Sequence, residues 1–309
     1  MGKILVALVV LCGLLFIGTV IAGMLKGQAS ATTTTTTTTT TEDEPYTPPP
    51  PDMDPPKLPV PETYSEATQW LQKNAIYEQN TKIPNGCTFL KPLDAATASV
   101  SQLQTHIENL TACLVKVWNE PMTAAGFVLP RPPATVYTTP IETACGKLDR
   151  VNASYCGGDQ RIYYSNQIPR IFPSDLQHAR FLMDMVLAHE FGHAIQARTG
   201  ISVSEMAWEQ KVGKAEANVY SRRLEQQADC LAGMFTHSVA PSVNLTEQEL
   251  ATLRKIAYNL GDDVLSGDPN IDSGHGSGKN RELWFTKGLT GTTLIGQCNT
   301  FIVPASQVR

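Results

Sequence analysis

The sequence predicts an α+β fold, mostly helical with a small sheet, preceded by a transmembrane helix and a disordered Thr/Pro-rich stalk. Three observations predict it. Residues 4–24 form an uncharged and almost wholly apolar run, which is long enough to cross a bilayer as a helix. Residues 32–61 contain ten consecutive threonines and then many prolines, and such a composition builds no core. From residue 62 onward, apolar residues recur at helical spacing, and two short strand patterns interrupt them.

These composition shifts divide the chain into a membrane anchor (1–31), a linker (32–61) and one folded domain (62–309). Lys3 precedes the apolar run, which favours an N-terminus inside the cell and a domain outside the cytoplasm, at the cell surface or in the periplasm. A cleaved signal peptide is the alternative, because Ala29-Ser30-Ala31 has the small-x-small form of a cleavage site. Cleavage after Ala31 would make the protein secreted.

The charge of the chain limits its partners. The formal net charge is −5 at pH 7, whereas nucleic-acid-binding proteins carry a basic surface. Nucleic acid is therefore excluded as the expected partner, and the membrane is expected to contact only the N-terminal helix.

Apolar spacing and capping residues place the elements of the folded domain. The stripe from Val100 to Trp118 predicts one long helix, which Pro121 ends or kinks. A capping box of Thr246 and Glu249 begins another. The remaining predicted helices cover residues 65–79, 175–199 and 214–234, and the predicted strands cover residues 134–138 and 161–165.

The run His189-Glu190-Phe191-Gly192-His193 lies in the predicted helix 175–199. Residues at i and i+4 share one face of a helix, so His189 and His193 can bind one metal ion together. Glu190 would then lie beside the metal, placed to deprotonate a water molecule. The alternative is a pair of ordinary packed histidines, although a buried imidazole needs a partner and a metal would supply one.

A zinc site of this kind needs a third ligand. The positions three and six residues after His193 hold neither the glycine nor the histidine of the extended motif. A second helix carries Glu225 and Asp229 at i and i+4, so Glu225 can bind zinc while Asp229 accepts the free ring N–H of a ligand histidine. Glu209 and Glu216 remain candidate ligands, but neither has a carboxylate four residues later.

Three blocks of sequence carry a resemblance to a known family. They are residues 189–196, residues 225–233, and His275-Gly276-Ser277-Gly278 with Arg281, Trp284, Phe285, Gly288 and Cys298. In these blocks the chain resembles the bacterial neutral zinc metallopeptidases of the extracytoplasmic, membrane-anchored type. The resemblance implies a zincin-like α+β fold, Zn²⁺ held by His189, His193 and Glu225, and a peptide or protein substrate. It covers roughly residues 118–301 and leaves the anchor, the stalk and the first helices outside.

His275 lies in a glycine-rich loop of the third block. A histidine on such a loop could reach back to the metal and donate to the oxyanion that forms when water attacks a peptide carbonyl. The alternative is a histidine that is merely exposed between glycines.

Six cysteines follow the apolar run, and an even count after an export segment predicts three disulfides. Proximity in sequence favours Cys145 with Cys156, and Cys230 with Cys298 would tie the C-terminal region to the second helix. Cys87 and Cys113 then remain. Reduced, buried thiols are the alternative, in a reducing compartment.

These patterns together predict a zinc-dependent peptidase outside the cytoplasm, with Glu190 as general base. Strand 161–165 is expected to present an edge to which an extended substrate adds. One alternative is a catalytically silent zincin-fold module that binds or scaffolds in the cell envelope, against which the presence of Glu190 argues. Another is a metallohydrolase of non-peptide bonds, because zinc activates water for several reactions.

Overall fold

The computed structural model describes residues 46–309, which form helices and two small sheets. The helices are α1 (Tyr64–Gln72), α2 (Val100–Ala124), α3 (Leu182–Arg198), α4 (Ile201–Lys211), α5 (Lys214–Val243), α6 (Glu247–Asn259), α7 (Asp262–Ser266) and α8 (Gly278–Thr290). The strands are β1 (Ala134–Tyr137), β2 (Ile141–Thr143), β3 (Gly146–Leu148), β4 (Ala153–Cys156) and β5 (Arg161–Ser165). Single-turn 3₁₀ segments join several of them.

The larger sheet has the order β1-β5-β4, with β1 parallel and β4 antiparallel to β5. Strands β2 and β3 form a separate hairpin. Both strands predicted from sequence are present as β1 and β5. However, β5 is the central strand, so the expectation that it offers a free edge is wrong. Alternation alone could not reveal this, because it reports burial rather than the position of a strand in a sheet.

Helix α3 is the buried centre of the domain. Sixteen of its seventeen residues are buried, and His193 is the exception. It packs against α2, α5 and the β4–β5 side of the sheet, so apolar residues surround it as the sequence predicts. Helix α5 packs in turn on α8, where Gly233 and Gly288 let the two backbones touch. A Cβ at Gly233 would overlap the Phe285 carbonyl oxygen, and one at Gly288 would overlap that of Cys230.

The ends of several helices differ from the prediction, since α1 ends at Gln72 instead of residue 79 and α2 runs through Pro121 to Ala124. Helix α3 begins at Leu182 instead of residue 175, because the chain after Pro173 makes successive turns. The Leu176 amide donates to the Pro173 carbonyl at 2.9 Å, and Ala179 donates to Leu176 at 3.1 Å. Helix α5 continues beyond residue 234 to Val243, and its C-cap Asn244 has a φ of 54°. Asparagine tolerates this left-handed conformation, so it is a natural stop.

The predicted fold class is wrong in including a membrane helix. Within residues 46–309, none of the helices combines the length and the apolar composition needed to cross a membrane. The apolar run at residues 4–24 and the ten threonines lie outside the described residues. The described domain is a mostly helical α+β domain with small sheets.

The disordered stalk is corrected for residues 46–61, which form neither helix nor strand but hydrogen-bond to the domain. Arg198, at the end of α3, donates from Nη1 to the Pro56 carbonyl at 2.7 Å, and Gln160 Nε2 donates to the same oxygen at 2.8 Å. The Asp52 amide donates to the Arg131 carbonyl at 2.9 Å. Because this segment lies outside helices and strands, its carbonyls have no regular backbone partners and are free to accept from these distant side chains.

Three disulfides join the six cysteines of the described residues, in the pairs that the sequence favoured. The bonds are Cys87–Cys113, Cys145–Cys156 and Cys230–Cys298. The first ties residues before α2 to α2 itself, the second links the β2–β3 hairpin to β4, and the third fastens the C-terminal region to α5. Each closes a loop and so restricts the unfolded chain, which stabilises the fold.

A buried histidine and aspartate pair joins α2 to α3. His106 Nε2 lies 3.1 Å from Asp184 Oδ2, and both side chains are buried. Burial lowers the pKa of His106, but the charge of Asp184 and its hydrogen bond raise it by more, so the net pKa is above the usual value. The proton on His106 therefore binds more tightly in the folded state than in the unfolded state.

We expect this pair to make stability depend on pH. The contribution is fully present below the unfolded pKa of His106, about 6.5, and is lost as pH rises through the higher folded pKa. Melting temperatures measured from pH 6 upward should fall less steeply in His106→Gln than in the parent. His178→Gln is the control, because His178 pairs with Asp94 at the surface. Equal slopes in His106→Gln and the parent would contradict the assignment.

Candidate metal centre

Three side chains from two helices converge at the centre of the domain. His189 and His193 lie one turn apart on α3, and their Nε2 atoms are 3.1 Å apart. Glu225 on α5 places Oε2 3.2 Å from His189 Nε2 and Oε1 3.4 Å from His193 Nε2. Among the described residues, these three form the one group of His, Cys, Asp or Glu side chains that could hold a metal ion.

The donor set and its spacing fit zinc. Atoms bound about 2.0–2.1 Å from a tetrahedral Zn²⁺ lie roughly 3.3 Å from one another, and the three separations above scatter around that value. Both imidazoles turn their Nδ1 atoms to acceptors, which leaves the two Nε2 lone pairs facing each other and a carboxylate. Three electron-rich atoms at such short distances repel unless a cation lies between them. Two imidazoles and a carboxylate also leave a tetrahedral ion one open position.

His189 is oriented by a buried ion pair. Its Nδ1 lies 2.8 Å from Asp229 Oδ1, and Asp229 also accepts from Arg281 Nε at 2.9 Å and Nη2 at 2.8 Å. Asp229 is fully buried and Arg281 is 4% exposed. Burial lowers the pKa of His189, but Asp229 and then Glu225 raise it by more, to about 10. Surroundings that hold a proton this strongly also favour a metal cation on the imidazole.

His193 is oriented within its own helix. Its Nδ1 lies 2.8 Å from Gln196 Oε1, three residues later on α3. Gln196 is completely buried, and its amide also donates to the Leu224 carbonyl at 2.7 Å, in the turn of α5 that carries Glu225. Gln196, at the position where the extended motif has glycine, therefore links α3 and α5, the two helices that carry the metal ligands.

Glu190 is buried, and its carboxylate is hydrogen-bonded to the sheet. Its Oε2 accepts the backbone N–H of Tyr155 in β4 at 2.8 Å. Only 7% of Glu190 is exposed, so few conformations are open to its carboxylate. This contact fixes one oxygen, and no donor within residues 46–309 is bonded to the other, which can accept a proton.

His275 approaches the centre from the loop between α7 and α8. Its backbone N–H donates to Asp262 Oδ2 at 2.9 Å, and its Nδ1 lies 3.2 Å from Asp262 Oδ1. Loss of solvent lowers the pKa of His275, but the charges of Glu225 and Asp262 raise it by more. In Glu225, burial raises the pKa and the charges of His193 and His275 lower it well below the usual value.

The other carboxylates considered from sequence do not join the group. Glu216 is exposed in the first turn of α5. Glu209 lies on α4 beside Glu205, and both lie close enough to Glu225 to be influenced by its charge. Burial raises the pKa of Glu205 and of Glu209, and their mutual contact raises that of Glu205 further. The neutral form of Glu205 is therefore favoured more than that of an exposed glutamate.

Sequence reasoning missed four contributors to the site. Gln196 could have been found, because i+3 spacing from His193 puts it on the same face of α3. Arg281 was noticed only as part of a matching block. Nothing in the local sequence indicates that the Tyr155 amide or Asp262 would be involved, because both arrive through tertiary packing.

The fold and the donor set describe a zinc-binding domain built on a histidine-pair helix. The family model described as "Putative neutral zinc metallopeptidase" matches residues 89–301, and the chain belongs to this family. The cofactor of the family is zinc, which agrees with the donor set of His189, His193 and Glu225.

Related proteins match more than half of the chain. Protein YpfJ of Escherichia coli K12 is 29% identical over 221 residues, which is 67% of this chain and 75% of that protein. Protein Rv2575 of Mycobacterium tuberculosis H37Rv is 28% identical over 190 residues, which is 55% of this chain and 62% of that protein. Both are described as uncharacterized. No solved structure matches the chain.

Proposed function

We propose that this protein is a zinc-dependent peptidase that hydrolyses peptide bonds, with Glu190 as its general base. The observation that carries the proposal is the arrangement of Glu190, whose carboxylate follows a zinc ligand in the chain and has one oxygen held by the Tyr155 amide. A module that only bound zinc would have no use for this buried carboxylate.

The roles divide among the residues as follows. His189, His193 and Glu225 would hold Zn²⁺, which as a Lewis acid lowers the pKa of a water molecule toward about 7. Glu190 takes a proton from the attacking water and later gives it to the leaving amine. Asp229 and Gln196 keep the two imidazoles in the tautomer that offers Nε2. His275 donates a hydrogen bond to the oxyanion of the attacked carbonyl.

The free edge of β4 is the proposed path of the substrate backbone, in place of β5. The Ser165 amide donates to the Asn152 carbonyl at 2.9 Å, so the alternation of an antiparallel pair turns the backbone groups of Ala153 and Tyr155 away from β5. The Tyr155 amide indeed points to Glu190. In the described part of the chain, no strand pairs with this edge. An extended peptide added there would lie directly beside the general base.

The proposed location is outside the cytoplasm. Three disulfides join all six cysteines of residues 46–309, and such bonds persist in oxidising compartments. Cell fractionation combined with thiol labelling checks this. Recovery of the protein in the cytoplasm with six free thiols would contradict it.

The test of the function is to measure zinc content and peptide cleavage together. The parent should contain zinc and cleave a mixed peptide library, and a chelator should stop the cleavage. Glu225→Ala should lose both zinc and activity, because it removes one of three ligands. Glu216→Ala is the matched control, since that side chain is exposed on the same helix and should be dispensable. A parent that binds zinc but cleaves no peptide would favour the silent scaffold.

A further inference from the structure

Asp262 directs its whole carboxylate at one short stretch of the loop that carries His275. It stands first in α7 and is 8% exposed. Oδ2 accepts the backbone N–H of His275 at 2.9 Å and the hydroxyl of Ser273, while Oδ1 faces the ring Nδ1 of His275 at 3.2 Å. One side chain therefore fixes both the backbone and the imidazole of His275.

The loop needs such an anchor. His275 lies between Gly274 and Gly276, and Gly276 has a φ of +88°, which a residue with a side chain rarely adopts. A glycine-flanked histidine has many conformations in a free chain, and ordering them costs entropy. An oxyanion donor is effective only if it is already oriented when charge develops. The anchor therefore has a catalytic consequence as well as a structural one.

The ring that Asp262 holds lies close enough to the metal centre for its pKa to respond to the charge of Glu225. Charged groups from three elements surround it, namely Glu225 on α5, Asp262 on α7 and Arg281 on α8. Because a carboxylate can only accept, Nδ1 must donate to Asp262, and Nε2 remains for a substrate. The His275 side chain is 34% exposed, so a bound peptide can reach it.

We propose that Asp262 is a positioning residue, which holds His275 so that its Nε2–H points at the carbonyl oxygen of the bond being cleaved. The inference rests on the proposed peptidase function and extends it by one residue. Asp262 acts through His275 and does not touch the substrate. The Asp262 carboxylate, 3.2 Å from Nδ1, favours the imidazolium form of His275, in which Nε2 also carries a proton and can donate it.

A purely structural role is the rival explanation, and the neighbouring residue offers a control for it. Asp263 also bonds to the start of α8, since its Oδ1 accepts the Gly278 amide at 2.7 Å, and it accepts the amide of Val264 in α7 at 3.0 Å. Within residues 46–309, no hydrogen bond or ion pair joins Asp263 to His275. Asp263→Asn therefore perturbs the same region without touching the imidazole.

The experiment measures kcat, KM, zinc content and melting temperature for the full chain and its variants. His275→Ala should lower kcat by about 100- to 1,000-fold, as loss of one oxyanion donor does. Asp262→Asn should lower kcat by roughly 10- to 100-fold, the usual effect of removing a carboxylate that orients a histidine, with KM and zinc content little changed. Asp263→Asn should keep the kcat of the parent.

The decisive variant combines Asp262→Asn with His275→Ala. If Asp262 acts through His275, the double variant should be no slower than His275→Ala alone, whereas independent roles would multiply. In ¹⁵N NMR spectra of the imidazoles, Asp262→Asn should change the Nδ1 signal of His275, and Asp263→Asn should not. The NMR spectra test the contact between Asp262 and His275 even in variants whose peptide cleavage is too slow to measure.

Three results would overturn the inference. A further loss of kcat in the double variant would show that Asp262 acts independently, and an unchanged Nδ1 signal in Asp262→Asn would show that the two do not interact. If His275→Ala cleaves as fast as the parent while Glu190→Gln is slow, the inference fails and the peptidase function stands. A parent that cleaves no peptide would remove the proposed function first.

Discussion

Replacing Glu190 with glutamine should slow peptide cleavage by about 100- to 10,000-fold and leave zinc bound, because general-base catalysis is typically of that size. The amide oxygen of glutamine can still accept the Tyr155 N–H, so the side chain should keep its orientation. It cannot accept a proton from water. Steady-state cleavage of a library-selected peptide, together with zinc analysis of the same sample, measures both effects.

Glu205→Gln is the matched control for this prediction. It makes the same chemical change at a second buried carboxyl near Glu225. Burial raises the pKa of Glu205 well above its usual value, which favours the neutral form that the amide imitates. Its activity should resemble that of the parent. If Glu190→Gln also cleaved at the parental rate, the general base would have to be another residue.

The inactive variant also tests the proposed path of the substrate. A peptide bound to Glu190→Gln without being cleaved should pair with the edge of β4 and slow hydrogen exchange at the Ala153 amide. Exchange at residues of the β2–β3 hairpin should not change, because that hairpin lies in a separate sheet. Slowed exchange confined to another edge would exclude β4 as the substrate strand.

Replacing Asp229 with alanine should weaken zinc binding by about 10- to 100-fold and lower the free energy of unfolding by about 3–5 kcal/mol. The first effect follows from His189, which loses the acceptor of its Nδ1 proton. The second follows from Arg281, whose guanidinium would remain buried with its charge uncompensated. Competition with a chromogenic chelator measures the affinity, and denaturant unfolding of the metal-free protein measures the stability.

The control for this pair is an ion pair at the surface. Lys82 and Glu120 lie 2.7 Å apart, but both side chains are more than half exposed. Glu120→Ala should change the unfolding free energy by no more than about 1 kcal/mol, since water screens such pairs. Parental zinc affinity in Asp229→Ala would mean that His189 does not depend on its Asp229 contact for orientation.

Helical periodicity was enough to predict the metal ligands and Asp229 from the sequence. Helical spacing put His189 and His193 on one face, and it put Glu225 and Asp229 on one face of a second helix. The prediction that these two faces meet rests on the chemistry of zinc, because a zinc site with two histidines needs a third ligand. The structure brings all four side chains together. The order of strands in the sheet and the turns before α3 were not obtained, because both depend on packing between distant segments.

The contacts that support the ligands were harder to foresee. Arg281 and Asp262 reach the centre from the end of the chain, and only the packing of α8 on α5 brings Arg281 there. That packing depends on Gly233 and Gly288 facing each other, a pairing that no local pattern reveals. The sequence thus indicated the chemistry of the site, whereas its supporting contacts required the three-dimensional structure.

The segment at residues 46–61 determines where a recombinant fragment of the domain can begin. A fragment starting at residue 62, the boundary that composition suggests, would lack the Pro56 carbonyl that binds Arg198. A hydrogen bond to a charged group contributes roughly 1.5–3 kcal/mol, so the fragment would lose stability of that order. The lost hydrogen bond would destabilise the last turn of α3, about one turn after the metal ligand His193. Expression vectors for biochemical work should therefore retain the chain from residue 46 onward.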